Sequence, residues 1–452
     1  MQLRSLAVPI ACALALAGPA GAATLTVTDT GDAGDGTCDA SCTLRDAVDA
    51  AASDDRILFD LALPAPILIG LSGGALQIDV PLRITATDGV RTTVRRVGGN
   101  GRLLDVVGSG DARVIGLSFE HGDAPAPFGV SADGGAIFIA AGAALELRNC
   151  VLRGNRAIGA SGDPMVLSPG SPANGGAIYA AGDLLVDGCA FVDNHASGGD
   201  GASDLVSAGT MGGAASGGAI HALATIDILN STFSGNSAMG GSGAPGAPGS
   251  NGGDGGPAAG GAIALAASAL PTIAFSTLIG NSVAGGAGGI GAPGGEPLPA
   301  TNPARPDGLN GADGTARGAA LDAAASTLLN VSVLAANTGA TQCSGATISA
   351  RTSNSVADAS CPGVVVAALE AQFEPIDAAS DSPHYRPKLS SVVVDSAADC
   401  LDAVAFEAVD FDQLLTPRPL TVYSPAGRCD IGAIELNPVL FGDGFEEPPP
   451  PP

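Results

Sequence analysis

Short apolar runs return along the chain in a fixed order. Gly-Gly-Ala-Ile occurs at 134–137, 175–178, 217–220 and 260–263, with a worn copy, Gly-Ala-Ala-Leu, at 318–321. A second run follows each, at 149–155, 188–194, 230–236, 275–281 and 331–337, and closes on Asn155, Asn194, Asn236, Asn281 and Asn337. Both runs are too short for helices, and their apolar residues alternate as half-buried strands require. A repeat of about 40 residues marks a solenoid, in which each unit buries its apolar face only against its neighbours.

The pattern predicts an all-β chain: a right-handed parallel β-helix with a short N-terminal capping helix and long glycine-rich loop insertions. Stacking the units aligns Ile137, Ile178, Ile220, Ile263 and Leu321 in one core ladder, and Leu152, Phe191, Phe233, Leu278 and Leu334 in another. The five Asn residues fall where a strand ends and the chain bends. Asn tolerates the left-handed conformation, and its amide can bond the same group one coil away, so a structural Asn ladder is expected. Residues 117–122, Leu-Ser-Phe-Glu-His-Gly, repeat the second run with Gly122 in the Asn place and extend the stack toward the N-terminus.

Open solenoid ends expose strand edges and need covers. Leu44, Ala47, Val48 and Ala51 recur at helical spacing and predict a short amphipathic helix over the first coil, with Cys38 and Cys42 pinning the loop before it. Cys150 and Cys189 share one repeat position, which later units fill with Ser231, Ser276 and Ser332. Adjacent strands lie about 4.8 Å apart, within the Cα range of a disulfide, so a cross-coil bridge is expected there. Cys343 with Cys361 and Cys400 with Cys429 are candidate staples of the closing region; sequence alone does not fix that pairing.

The insertions between units have their own period. Residues 240–257 read as six triplets that each begin with glycine, and 285–296 and 308–316 continue the rhythm. Such triplets favour extended polyproline II helices, and glycine at every third place lets neighbouring helices approach closely. A side-by-side bundle of loops from successive coils is the sharper expectation, and flexible loops the plainer one.

An apolar run from Leu6 to Leu16, a Gly-Pro break and Ala20-Gly21-Ala22 read as a secretory signal, so residues 1–22 are expected to be removed. Loss of Cys12 with it leaves an even set of eight cysteines, suited to an oxidising compartment. No later run approaches the roughly 20 apolar residues that span a bilayer. The remaining boundaries are a cap at 23–60, the stack at 61–345, C-terminal coils and a closing region at 346–437, and a proline-rich tail at 438–452. A net charge of −26 with one lysine argues against nucleic acid as a partner. It otherwise fits a solvated exported surface, and leaves the oligomeric state open.

Two landmarks carry a family likeness. Cys38-Asp-Ala-Ser-Cys-Thr-Leu-Arg-Asp-Ala47 resembles the N-terminal module named for its Cys-Ser-Leu-Arg-Glu-Ala motif, found on bacterial exported β-helix proteins, with Thr43 and Asp46 replacing the motif's Ser and Glu. Cys429-Asp-Ile-Gly-Ala-Ile-Glu435 looks like the ending of choice-of-anchor β-helix surface proteins, and the repeats resemble those of polymorphic outer-membrane proteins. The resemblance implies a right-handed parallel β-helix, export and surface display, mostly without an assigned activity. The family's usual anchors do not follow Pro438; the Asp-Gly-Phe-Glu near 443–446 is similar to a tail on some exported proteobacterial proteins.

Candidate chemistry is sparse. A glycosidase needs paired carboxylates, and the weak candidates are Glu120 with Asp123, and Asp187 with Asp193. A polyuronate lyase needs a base with Ca²⁺ or cationic side chains, yet only five arginines, His195 and His221 lie between Val130 and Ala340. Asp29, Asp32 and Asp35 recur every third residue and are weak Ca²⁺ candidates without EF-hand spacing; a solvated turn explains them as well. No metal pair is expected from His195 and His221, and no nucleophile elbow or phosphate loop is present. No cofactor is implied. The leading expectation is a non-catalytic secreted or surface-displayed protein for adhesion, surface structure, or binding of glycans or host and cell-surface components; the alternative is a polysaccharide hydrolase or lyase on the same scaffold.

Overall fold

The computed structural model describes residues 21–266, 271–294, 306–401, 408–419 and 428–436. The expected signal segment, apart from its last two residues, and the proline-rich tail lie outside them. The chain winds as a right-handed parallel β-helix. A typical coil runs through strands Ile137–Ile139, Ala144–Arg148 and Val151–Arg153, here called entry, middle and exit, and then through short strands Arg156–Ile158 and Ala173–Asn174. Stacked coils give an eight-stranded entry sheet, ten-stranded middle and exit sheets, and two five-stranded sheets from the short strands.

Register follows the hydrophobic ladders. Ile137 pairs with Ile178, then Ile220, Ile263 and Leu321; Leu152 aligns with Phe191, Phe233, Leu278 and Leu334. All ten side chains are fully buried. Phe191 and Phe233 stack with centroids 4.6 Å apart. At the N-terminal end, Thr43 and Asp46 form a capping box on helix α1 (Leu44–Ala50), whose buried Leu44, Ala47 and Val48 close the core. Cys38–Cys42, Cys343–Cys361 and Cys400–Cys429 are disulfides.

The Asn ladder forms, but with different turn geometry. The left-handed residue is the one before each Asn: Gly154, Asp193, Gly235, Gly280 and Ala336 have φ of 61°, 53°, 67°, 75° and 50°. That bend turns the Asn side chain inward. Asn155 Nδ2 donates to Asn194 Oδ1 at 2.9 Å, and the chain of bonds continues through Asn236 and Asn281 to Asn337. Gly122 heads the column, donating its N–H to Asn155 Oδ1 at 2.8 Å.

The expected Cys150–Cys189 bridge is absent: both are buried free thiols. Their column is a second polar ladder. Ser231, Ser276 and Ser332 each donate to the carbonyl two residues back and accept a backbone N–H from the preceding coil. Cys189 Sγ takes the same place, accepting the Cys150 N–H at 3.3 Å, while both thiols point at the carbonyls two residues back. In-register parallel side chains keep roughly the strand spacing of about 4.8 Å, whereas a disulfide wants Cβ atoms near 3.8 Å.

The glycine triplets form an ordered fin. Alanines at its root, among them Ala157, Ala173, Ala196, Ala215, Ala238 and Ala258, pack two layers closely. Beyond them, outgoing and returning arms become extended helices with three residues per turn. In 240–248 the third positions Ser242, Pro245 and Pro248 are exposed; on the returning arm Asn251, Asp254 and Pro257 are. Second residues of the triplets, mostly glycine, donate across the layers, as Gly213 to Gly199 O, Gly241 to Gly213 O and Gly256 to Gly241 O do, at 2.7–2.9 Å. A Cβ at Gly241 would collide with the Gly199 carbonyl, and one at Gly253 with that of Thr210.

After the strand Val364–Val365 the described residues add no further coils. It runs back along the outer face of the exit sheet, a feature the repeat pattern does not announce. Leu369, Phe373, Val393, Ala397 and Ile431 bury Phe275, Ile279 and Val333. Tyr385 Oη lies 2.9 Å from Ser234 Oγ, Gln413 Oε1 accepts from Thr232 at 2.6 Å, and the Ala433 N–H reaches Thr277 Oγ1 at 3.0 Å. This C-terminal strap turns the outward residues of that sheet into a second core.

Candidate functional site

The structure disperses the carboxylates nominated from sequence. Glu120 is buried and its Oε1 meets Arg91 at 2.8 Å and Arg153 at 3.3 Å. Asp123 pairs with Arg156 at 2.7 Å. Glu120 is thus engaged by two arginines beneath the strap, whereas Asp123 holds one at the fin root and keeps its Oδ1 buried without a hydrogen-bond partner. Asp187 ends the middle strand Asp183–Asp187, while Asp193 occupies the turn after the exit strand Ala190–Val192, so the two lie on either side of that strand.

The Asp29, Asp32 and Asp35 trio also separates. Asp29 accepts from the Gly31 N–H and Ser41, which hold its carboxyl below the usual range. For Asp32, burial works upward, but the Gly73 and Ser72 N–H groups and Arg45 hold its carboxyl low. Asp35 accepts both the backbone and the hydroxyl of Thr37. These are turn and cap interactions that tie the first loop to helix α1 and the first coil. Among the described residues there is no group of three or more His, Cys, Asp or Glu placed to hold a metal ion.

Asp187 has a different setting. It lies in a groove of about 460 Å³ between the bend that joins the middle and exit sheets and strap residues 408–415. The floor is polar: Arg148, Asn149, Asp187 and Asn230. In-register pairing puts Arg148, Asp187 and Leu229 at one level of three successive coils. Asn149 and Asn230 are left-handed turn residues, with φ of 51° and 49°. Such turns fall at every coil, but Gly188 fills the one between, so the two amides stand two coils apart.

Asn230 Nδ2 donates to Asp187 Oδ1 at 3.2 Å, and Asn230 Oδ1 is buried without a hydrogen-bond partner. Burial pushes the Asp187 carboxyl upward, partly offset by Asn230 and Arg148. Arg148 itself is drawn to Glu146, which also holds Arg113. On the strap side Asp412 is structural, accepting the Leu414, Thr416 and Glu435 N–H groups. Phe411 and Leu415 are half exposed or more at the rim, and the exposed Asp410 also lines the groove. The groove is rich in acceptors and has an aromatic edge.

Sequence reading reached Asp187 but missed Asn230, Arg148, Asp410 and Phe411. The left-handed column Asn149, Gly188 and Asn230 was legible as turn chemistry. The strap half of the groove was not, since residues 408–415 belong to no repeat.

No protein-family model matches the chain, and no curated protein matches it. Among solved structures it is similar to a crystal structure of the pectate lyase Pel9A, at 11% identity and a TM-score of 0.35 over 92% of this chain and 96% of that one. The all-parallel stacked sheets carry the fold assignment by themselves. Three disulfides fit an extracellular protein, and no helix among the described residues is long and apolar enough to cross a membrane.

Proposed function

We propose that this is an exported, non-catalytic β-helix protein, secreted or displayed at a bacterial surface, that binds glycans through the groove at Asp187 and Asn230. Supporting this reading is the unpaired buried Asn230 oxygen beside Asp187, under the Phe411 and Leu415 rim. A polar floor below an apolar edge suits a ligand with one hydroxylated side and one C–H face. Carbohydrate rings have that character. Sequence resemblance to exported surface β-helix proteins supports display, and the acidic surface disfavours polyanionic glycans as ligands.

Glycan-array screening followed by calorimetry on the mature protein tests the proposal. Asn230→Ala and Phe411→Ala are each expected to weaken binding about tenfold, or ~1.4 kcal/mol. The raised Asp187 carboxyl favours a second reading, a polysaccharide hydrolase or lyase using it as an acid. Sustained release of reducing ends or unsaturated product, abolished by Asp187→Asn, would establish that reading and discard the first.

A further inference from the structure

Hydrogen bonds along each layer of the fin run in one direction. In the outgoing layer Gly198 and Gly201 donate to Met239 O and Ser242 O of the next coil, and Gly240, Gly243 and Gly246 donate to Ala284 O, Ala287 O and Ile290 O of the one after, at 2.8–3.0 Å. The returning layer agrees: Gly209 and Gly212 donate to Asn251 O and Asp254 O, and Gly252 and Gly255 to Leu309 O and Ala312 O. Every such N–H therefore points toward the C-terminal end of the stack. The fin has a donor edge at its last coil and an acceptor edge at its first.

At the donor edge the pattern runs out of coils. Gly288, Gly291 and Gly294 hold the positions whose N–H groups would reach a further coil. They donate instead to side chains of the returning arm: Gly294 to Asp307 Oδ1 at 2.7 Å, Gly291 to Asn310 Oδ1 at 2.9 Å and Gly288 to Asp313 Oδ1 at 2.8 Å. The three acceptors are spaced by three residues, matching the spacing of the donors in reverse chain order. Elsewhere in the fin, Asp200, Asn251 and Asp254 also cap neighbouring N–H groups, but at the outward-facing positions Ser242, Leu309 and Ala312. Among the described residues, only at the last coil do side chains replace a missing neighbour's carbonyls.

An unpaired backbone edge is a template for another chain, and a one-way edge complements the opposite edge of a second copy. We infer that Asp307, Asn310 and Asp313 are a stop: by occupying terminal N–H groups of the outgoing layer they prevent the carbonyl edge of a second copy's fin from docking there and extending the bundle head to tail. A contact of this kind does not close on itself and grows into open assemblies. Two exposed carboxylates in the row add charge repulsion against any acidic copy.

The test compares the full chain with the triple variant Asp307→Ala, Asn310→Ala, Asp313→Ala, and with Asp307→Asn, Asp313→Asn, which keeps every acceptor. Sedimentation over a hundredfold concentration range and amide exchange are both read. The alanine variant should exchange the Gly288, Gly291 and Gly294 amides at least about tenfold faster when dilute, and should at least double its weight-average mass as concentration rises. The parent and the Asn variant should keep one mass. Unchanged mass in the alanine variant despite faster exchange overturns the stop, and so does unchanged exchange. Self-association of the parent overturns it as well.

Discussion

Asn236 shows how one side chain can hold three coils. Its Oδ1 accepts from Asn194 Nδ2 at 2.9 Å and from the Asn194 backbone at 3.1 Å; its Nδ2 donates to Asn281 Oδ1 at 2.8 Å and to Phe191 O at 3.0 Å. The side chain has no exposed surface. Truncation strands buried donors and acceptors on both neighbours, each costing about 1–3 kcal/mol. Asn236→Ala is therefore expected to destabilise the chain by about 3–5 kcal/mol in denaturant unfolding, far more than a surface change of about 0.5 kcal/mol. The ladder was legible because the same residue returns at the same place. The thiol pair was not: whether stacked cysteines join depends on side-chain direction, and Ser231, Ser276 and Ser332 in the same column were the clue that this position serves the backbone.

At the scale of the element, the fin inverts the usual relation between side chains and packing. Its helices meet mostly through backbone, and glycine supplies the clearance. Gly241→Ala drives a methyl into the Gly199 carbonyl, an overpacking that costs about 1–3 kcal/mol. The damage should be local: faster amide exchange and protease nicking across 240–257, with the unfolding midpoint of the stack little changed. Ser242→Ala, one residue along and exposed, should leave both readouts as they are. The triplet rhythm disclosed the helices, and their conversion into a layered bundle follows from the alignment of the coils beneath. What the rhythm could not disclose is the one-way polarity of the bonds, since that depends on which N–H of each triplet faces the next coil.

For the whole molecule, the strap decides which surfaces remain available, and the Asp430 cluster is its latch. Asp430 accepts the Asp395 and Leu436 N–H groups, while Arg418 sits fully buried over the Phe275 ring beside Glu435. Burial and the nearby Glu435 push the Asp430 carboxyl up to about 7. A raised carboxyl binds its proton more tightly when folded, so its effect is to make stability fall as pH rises from about 4 to about 7. Protection factors at Ile431 and Gly432, corrected for the intrinsic pH dependence of amide exchange, should accordingly be higher at pH 5 than at pH 8, and Asp430→Asn should flatten that difference. The stack itself was readable from its repeats, whereas the strap, built from unrepeated sequence, was not, and half of the candidate groove went unseen with it. The coils also record how such a chain can lengthen. Successive Asn partners are 39, 42, 45 and then 56 residues apart, yet the Asn column stays in register. In hereditary terms the fin is where the chain can gain length: residues inserted there change the arms and leave the ladders beneath in register.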